Sequence, residues 1–276
     1  MDSMSRDGAM MLRWLGALGL VAAAVACAIV DESLQDSVRR HDRLHVPEGT
    51  GPFPAVIVLH GCGGPSARDE LWAERLRQWG YLVLRVNSFA PRGLKSVCGG
   101  GILAPQERVP DVLAALMYLR SRSDVDPSRI AMAGWSHGAG TVLMTMGAAP
   151  EESEKGFRAA IAFYPGCSQV RLWKAKTPIL MLLGEVDEWT PSRPCQRLSS
   201  QQQSAGFEVT EITYPGAHHG FDNPLRGAAS RWVAEARGGR GATVQYNPAA
   251  AEDSVIRVEK FLAKHLRSFH GSPVSP

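Results

Sequence analysis

No block of like charge and no low-complexity tract interrupts this chain, and no segment repeats another. The 30 Lys and Arg residues are dispersed against 27 Asp and Glu, leaving a net charge of +3. Without a clustered basic face, a nucleic-acid partner is not expected. No Cys, His or Asp spacing matches a metal site, so neither a metal nor a cofactor is expected. Cysteine is scarce, at 5 residues. What the chain does have is 276 residues, 45% of them hydrophobic, enough to bury one substantial core as a single domain.

The N-terminus differs in kind. Arg6 and Arg13 precede an almost wholly apolar run, Trp14 to Val30, that is marginal for a membrane-spanning helix. A basic n-region, a short apolar stretch and Ala24-Val25-Ala26 read as an export signal over residues 1–27, with the remaining chain, 28–276, as the catalytic domain. Two alternatives stay open: lipidation at Cys27, although the usual Leu of a lipoprotein box is missing, and an uncleaved anchor. Membrane contact is expected only through such a lipidated or uncleaved N-terminus. The mature protein is placed in the periplasm or medium. There Cys62, Cys98, Cys167 and Cys195 would meet an oxidising environment. Each follows a strand-like run, and the pairing Cys62–Cys98 with Cys167–Cys195 joins loops after neighbouring strands. Four buried thiols are the alternative.

Beyond residue 40 the pattern alternates strand and helix. Ala55 to Leu59 is a continuous β-branched and apolar run, as in a strand covered on both faces. Residues 68–79 read as a helix carrying Leu71, Trp72, Leu76 and Trp79 on one face, stopped by Gly80. Tyr81 to Val86, the run ending at Ala133, Ala159 to Tyr164, Pro178 to Leu183 and Phe207 to Tyr214 read as further strands. Helices are expected near 108–122 and 192–204, and an edge strand around Arg43 to Val46. Residues 223–248 look irregular. The last helix shows Val255, Val258, Leu262, Leu266 and Phe269 at helical spacing. The expected fold is α/β, a doubly wound and mostly parallel sheet in one domain.

Gly134-Trp135-Ser136-His137-Gly138 sits between a strand-like run and a small-residue helical run. This G-x-S-x-G arrangement places a serine on a sharp strand-to-helix turn, where flanking glycines permit close packing. Asp187 and His219 follow downstream, each after a strand, in the order Ser, Asp, His. Strand-end loops gather on one rim of such a sheet, so three distant residues can meet there. Serine needs a base to become nucleophilic, His219 suits that role at neutral pH, and Asp187 would orient it. Glu185 and Glu188 are alternatives for the acid, and His218 for the base. His60-Gly61-Cys62-Gly63-Gly64 follows the first buried strand, so the Cys62 and His137 amides are expected to form the oxyanion hole. His60 is read as structural. Arg92, in a rim loop, is either a partner for a substrate carboxylate or a structural salt-bridge residue. Trp135 is expected to touch substrate.

His60-Gly61, the Ser136 elbow, Gly184-Glu185-Val186-Asp187 and Tyr214-Pro215-Gly216 through His219-Gly220-Phe221 together resemble the dienelactone hydrolase family. Tyr246-Asn247-Pro248-Ala249-Ala250 is similar too, and the likeness spans roughly residues 40–268. The resemblance implies a compact α/β-hydrolase without a large lid, acting on small esters or lactones without a cofactor. The best-known members use a cysteine nucleophile, and Ser136 stands at that position here, which favours a serine esterase. A prolyl-oligopeptidase-like peptidase uses the same residue order but carries a large accessory domain. A non-catalytic envelope binding protein on a hydrolase scaffold is the reading from another class, and it would be marked by a missing triad member.

Overall fold

The computed structural model describes residues 36–148, 156–168, 170 and 177–267. The expected signal over residues 1–27 and the apolar Phe269 lie outside them. Seven strands form one sheet: β1 (Arg43–His45), β2 (Phe53–Leu59), β3 (Leu82–Val86), β4 (Val125–Trp135), β5 (Ala159–Phe163), β6 (Ile179–Gly184) and β7 (Val209–Tyr214). Their spatial order is β1-β3-β2-β4-β5-β6-β7. Every neighbouring pair is parallel except β1 with β3, at one edge. Helices α1 (Ala67–Gln78), α2 (Val109–Arg120), α3 (His137–Ala148), α4 (Ser192–Ser204) and α5 (Pro248–Leu266) cover the sheet. This is the doubly wound α/β fold expected.

Both faces of the sheet are covered, which is why β2, β5 and β6 read as unbroken apolar runs. Ala55, Ile57 and Leu59 of β2 point into a layer shared with Val112 and Leu116 of α2 and Val142 and Met146 of α3. Val56 and Val58 point the other way, toward Trp72 and Leu76 of α1 and Phe261 and Leu262 of α5. Full burial of each such side chain stabilises the fold by about 1.5–3 kcal/mol before entropy is charged against it. Helix α1 starts at Ser66, whose backbone N–H and hydroxyl both donate to Asp69 Oδ2 at 2.8 Å. The inward stripe of α1 is narrower than expected. Leu71 is 40% exposed, because it lies about 100° around the helix from Trp72.

Residues 223–248 are more ordered than the composition implied. Strands β8 (Arg231–Val233) and β9 (Ala242–Val244) form an antiparallel hairpin, which buries Val233, Ala236, Ala242 and Val244 against Trp189. Val244 also bridges to His219, so the hairpin braces the loop after β7. The chain leaves β2 for β3 on one side and returns to β4 on the other. Strand order therefore reverses between β2 and β4, and open α/β sheets place their sites at that crevice. The loops holding Cys62 and Ser136 begin at the carboxyl ends of these two strands.

Candidate active site

Ser136 joins β4 to α3 with a φ of +53°, a left-handed backbone that non-glycine residues rarely adopt. The strain is held in place by close packing. A Cβ on Gly134 would lie 2.4 Å from the Gly138 carbonyl, and one on Gly138 would lie 2.2 Å from the Leu59 carbonyl. The Ser136 N–H donates to the Phe163 carbonyl at 2.9 Å, and its own carbonyl accepts the first bond of α3 from Gly140. The turn thus presents the serine hydroxyl at a helix N-terminus.

His219 Nε2 lies 2.9 Å from Ser136 Oγ, and its Nδ1 lies 2.8 Å from Asp187 Oδ2. All three residues are buried. With Nδ1–H donating to the carboxylate, Nε2 is left free to accept from the serine. Asp187 Oδ1 accepts the backbone N–H groups of Trp189 and Thr190, at 2.8 and 2.9 Å, so the carboxylate cannot swing away. The Thr190 hydroxyl is 3.0 Å from Asp187 Oδ2, 2.9 Å from the Tyr164 carbonyl and 3.1 Å from His219 Nδ1. The imidazole lies between two rings, Tyr164 at 4.6 Å and Trp189 at 4.9 Å between centroids. The alternatives raised by the sequence sit elsewhere. Glu185 accepts from the Gly216 N–H, Glu188 from the Thr243 N–H, and His218 faces a separate cleft beside Ala228, Gln245 and Tyr246.

A cleft of about 260 Å³ opens over Ser136, lined among others by Cys62, Val97, Pro105, Trp189 and Arg237. Cys62 and Cys98 are disulfide-bonded with their Cα atoms 4.8 Å apart, and Cys167 and Cys195 with theirs 5.1 Å apart. The first bond links the loop after β2 to the loop after β3 at the mouth of the cleft, where the Val97 N–H also donates to the Cys62 carbonyl. His60 is buried behind this loop, its ring edge on Phe89, and burial pushes its imidazole down to about 3. It stays neutral and structural.

Of the two candidate substrate residues, neither Arg92 nor Trp135 lines the cleft, and for Arg92 the structure favours the salt-bridge alternative. Arg92 forms a two-pronged salt bridge with Asp111 at 2.9 and 3.0 Å and also donates to the Ser88 and Glu107 carbonyls, which engages both of its terminal nitrogens. Trp135 is only 1% exposed. Its side chain points beneath the elbow, stacked on Phe163 at 5.0 Å, with Nε1 donating to Asp222. The tryptophan on the cleft is Trp189, two residues after Asp187, and that adjacency was the available signal.

Asp222 also went unread, although a carboxylate directly after the buried Phe221 was a clue. Its Oδ2 accepts from both Trp72 Nε1 and Trp135 Nε1 at 2.8 Å, and its Oδ1 accepts from the Tyr164 hydroxyl at 2.6 Å. Arg68 donates to that same hydroxyl at 2.9 Å while pairing with Asp69. This buried network ties α1, β4, β5 and the His219 loop together below Ser136 and His219.

The fold and this strand-to-helix serine turn define an α/β-hydrolase. The chain belongs to the dienelactone hydrolase family, whose sequence model matches residues 42–266, and with it to the carboxylic ester hydrolases. A Methylorubrum extorquens protein assigned as a carboxymethylenebutenolidase is 25% identical over 228 residues, 75% of this chain and 75% of that one. Esterase EstD of Thermotoga maritima is 32% identical over 105 residues, which cover 35% of this chain and only 24% of EstD. In three dimensions, the thermophilic esterase Est2 of Thermogutta terrifontis superposes with a TM-score of 0.59 at 18% identity, covering 83% of this chain and 89% of that one. At that identity the likeness speaks for the fold.

Proposed function

We propose that this chain is an exported serine hydrolase that cleaves a small carboxylic ester or lactone through an acyl-enzyme. One observation carries the reading: His219 stands between Asp187 at 2.8 Å and Ser136 at 2.9 Å, on a strained turn at the floor of a cleft. Ser136 Oγ attacks the substrate carbonyl while His219 Nε2 takes its proton. Asp187 keeps the imidazole in the Nδ1–H form and stabilises the imidazolium. The carbonyl oxygen, now an oxyanion, is held by the backbone N–H groups of Cys62 and His137. His219 then returns the proton to the leaving alkoxide. Water, deprotonated by the same imidazole, attacks the acyl-serine, frees the acid and restores Ser136.

The cleft suits a small substrate: among the described residues its lining includes glycine, valine and proline, the Trp189 ring and the cation Arg237. Two disulfides and the basic-then-apolar N-terminal sequence support passage into an oxidising compartment. Hydrolysis of p-nitrophenyl acetate by the purified protein tests the chemistry. Turnover that disappears in Ser136→Ala is expected, and turnover unchanged in that variant would remove the reading.

A further inference from the structure

Arg108, at the foot of α2, has a relative exposure of zero. A buried guanidinium is costly unless it is paired, yet among the described residues no carboxylate makes an ion pair with it. Asp111, the acid nearest in sequence, is engaged by Arg92 instead. Burial draws the Arg108 guanidinium down to about 10, so it keeps its charge at neutral pH.

What Arg108 does touch is specific. Its Nη1 lies 3.0 Å from the His60 carbonyl and 3.0 Å from His137 Nδ1. That nitrogen carries two hydrogens, one for each acceptor. His60 begins the loop that carries Cys62. His137 is the residue after Ser136. One nitrogen therefore holds both segments that carry the two oxyanion N–H groups assigned above. The His137 ring is fixed from its other side as well, where Nε2–H donates to the Leu103 carbonyl at 2.9 Å. This sets the tautomer that leaves Nδ1 free to accept from Arg108. Burial and the adjacent guanidinium push the His137 imidazole down to about 4, so it remains a neutral acceptor throughout the working range. The flat face of Phe89 lies 5.5 Å from the guanidinium carbon and backs the same clamp.

We propose that Arg108 is a positioning residue that holds the His60–Cys62 loop and the Ser136–His137 turn in register, so that their two N–H groups converge on one oxyanion. The proposal rests on the serine-hydrolase reading above. Ground-state substrate needs no such convergence, whereas the tetrahedral oxyanion does. Loss of Arg108 should therefore appear in kcat rather than in KM.

The test uses the full-length purified protein, with kcat and KM for p-nitrophenyl acetate and inhibition by phenylboronic acid. The boron adds to a serine hydroxyl as a tetrahedral anion. Removing one oxyanion donor outright costs about 10²–10³-fold in kcat. Loosening two of them in Arg108→Met should lower kcat by at least about tenfold, leave KM within about twofold, and weaken the boronate in proportion to kcat. Arg108→Lys, which keeps the charge and enough hydrogens to reach either acceptor, should recover part of that loss. If Arg108→Met fails to fold by circular dichroism, Arg108→Lys and His137→Phe carry the test. The latter cuts the clamp from its other end and leaves the backbone N–H in place, so a lowered kcat is expected in both.

Folded variants with wild-type kcat and boronate affinity would overturn the proposal, as would a loss confined to KM. Ser136→Ala is the control. Activity surviving there would remove the catalytic reading and the clamp together. An inactive Ser136→Ala beside fully active Arg108 variants would remove the clamp alone.

Discussion

Trp135 Nε1 and Trp72 Nε1 both donate to Asp222 Oδ2 at 2.8 Å, so one carboxylate ties the residue before Ser136 to α1 and to the loop three residues beyond His219. The Tyr164 hydroxyl completes the set on Oδ1. Asp222→Ala would leave three buried donors without acceptors. A loss of at least about 3 kcal/mol is expected, because each orphaned donor keeps its desolvation cost. Urea unfolding should show it. A variant as stable as wild type would mean that the network does not brace the site.

The histidine pair gives a sharper contrast. Ser136→Ala and His219→Ala should each reduce ester turnover by at least about a thousandfold, since residues acting as one unit lose nearly everything together. His218→Ala, in its own cleft, should stay close to wild type. A larger loss for His218 than for His219 would contradict the placement of the imidazole between Asp187 and Ser136.

Reduction should separate the two disulfides. Cys62 and Cys98 are only half-buried at the cleft, while Cys167 and Cys195 are buried. A mild dithiol reagent is therefore expected to open Cys62–Cys98 first and to lower turnover before the far-ultraviolet signal of the fold is lost. Mass spectrometry after alkylation would identify the bond opened. Full activity with Cys62 and Cys98 both alkylated would show that the link does not shape the site.

Asp42 makes stability depend on pH. Its Oδ1 accepts the Asn87 N–H at 2.8 Å, Oδ2 has no partner, and burial pushes the carboxyl up from 3.8 to about 7. The folded state thus holds a proton that the unfolded state has already released. This group favours folding below pH 4, and that contribution fades as the pH rises toward 7. Asp42→Asn keeps an acceptor but does not ionise. Its melting temperature should gain on the wild type from pH 4 to pH 7 and then hold level. A difference that is flat across this range would rule out a buried, titrating Asp42.

The parts legible in the sequence share a cause. Strands β2, β4 and β6 are covered on both faces, so burial wrote continuous apolar runs. Ser136 and Asp187 each follow such a run, His219 follows the more polar β7, and strand ends on a parallel sheet converge whatever the helices between them. What stayed hidden depends on partners distant in sequence. Arg92 reads as a rim cation until Asp111 is placed against it, and Trp135 reads as exposed until Asp222 and Phe163 close over it. Arg108 carries no local mark at all, since a lone arginine at a helix start is ordinarily solvated. The β8–β9 hairpin was obscured by Gly238, Gly239 and Gly241, which the connection between the two strands uses at positive φ.

The nucleophile itself is tested most directly by a fluorophosphonate probe followed by peptide mapping. One adduct is expected, on the peptide carrying Ser136, and it should be absent from Ser136→Ala. A folded wild-type protein that takes no label, or that takes it on another residue, would contradict the assignment of Ser136 as the attacking group.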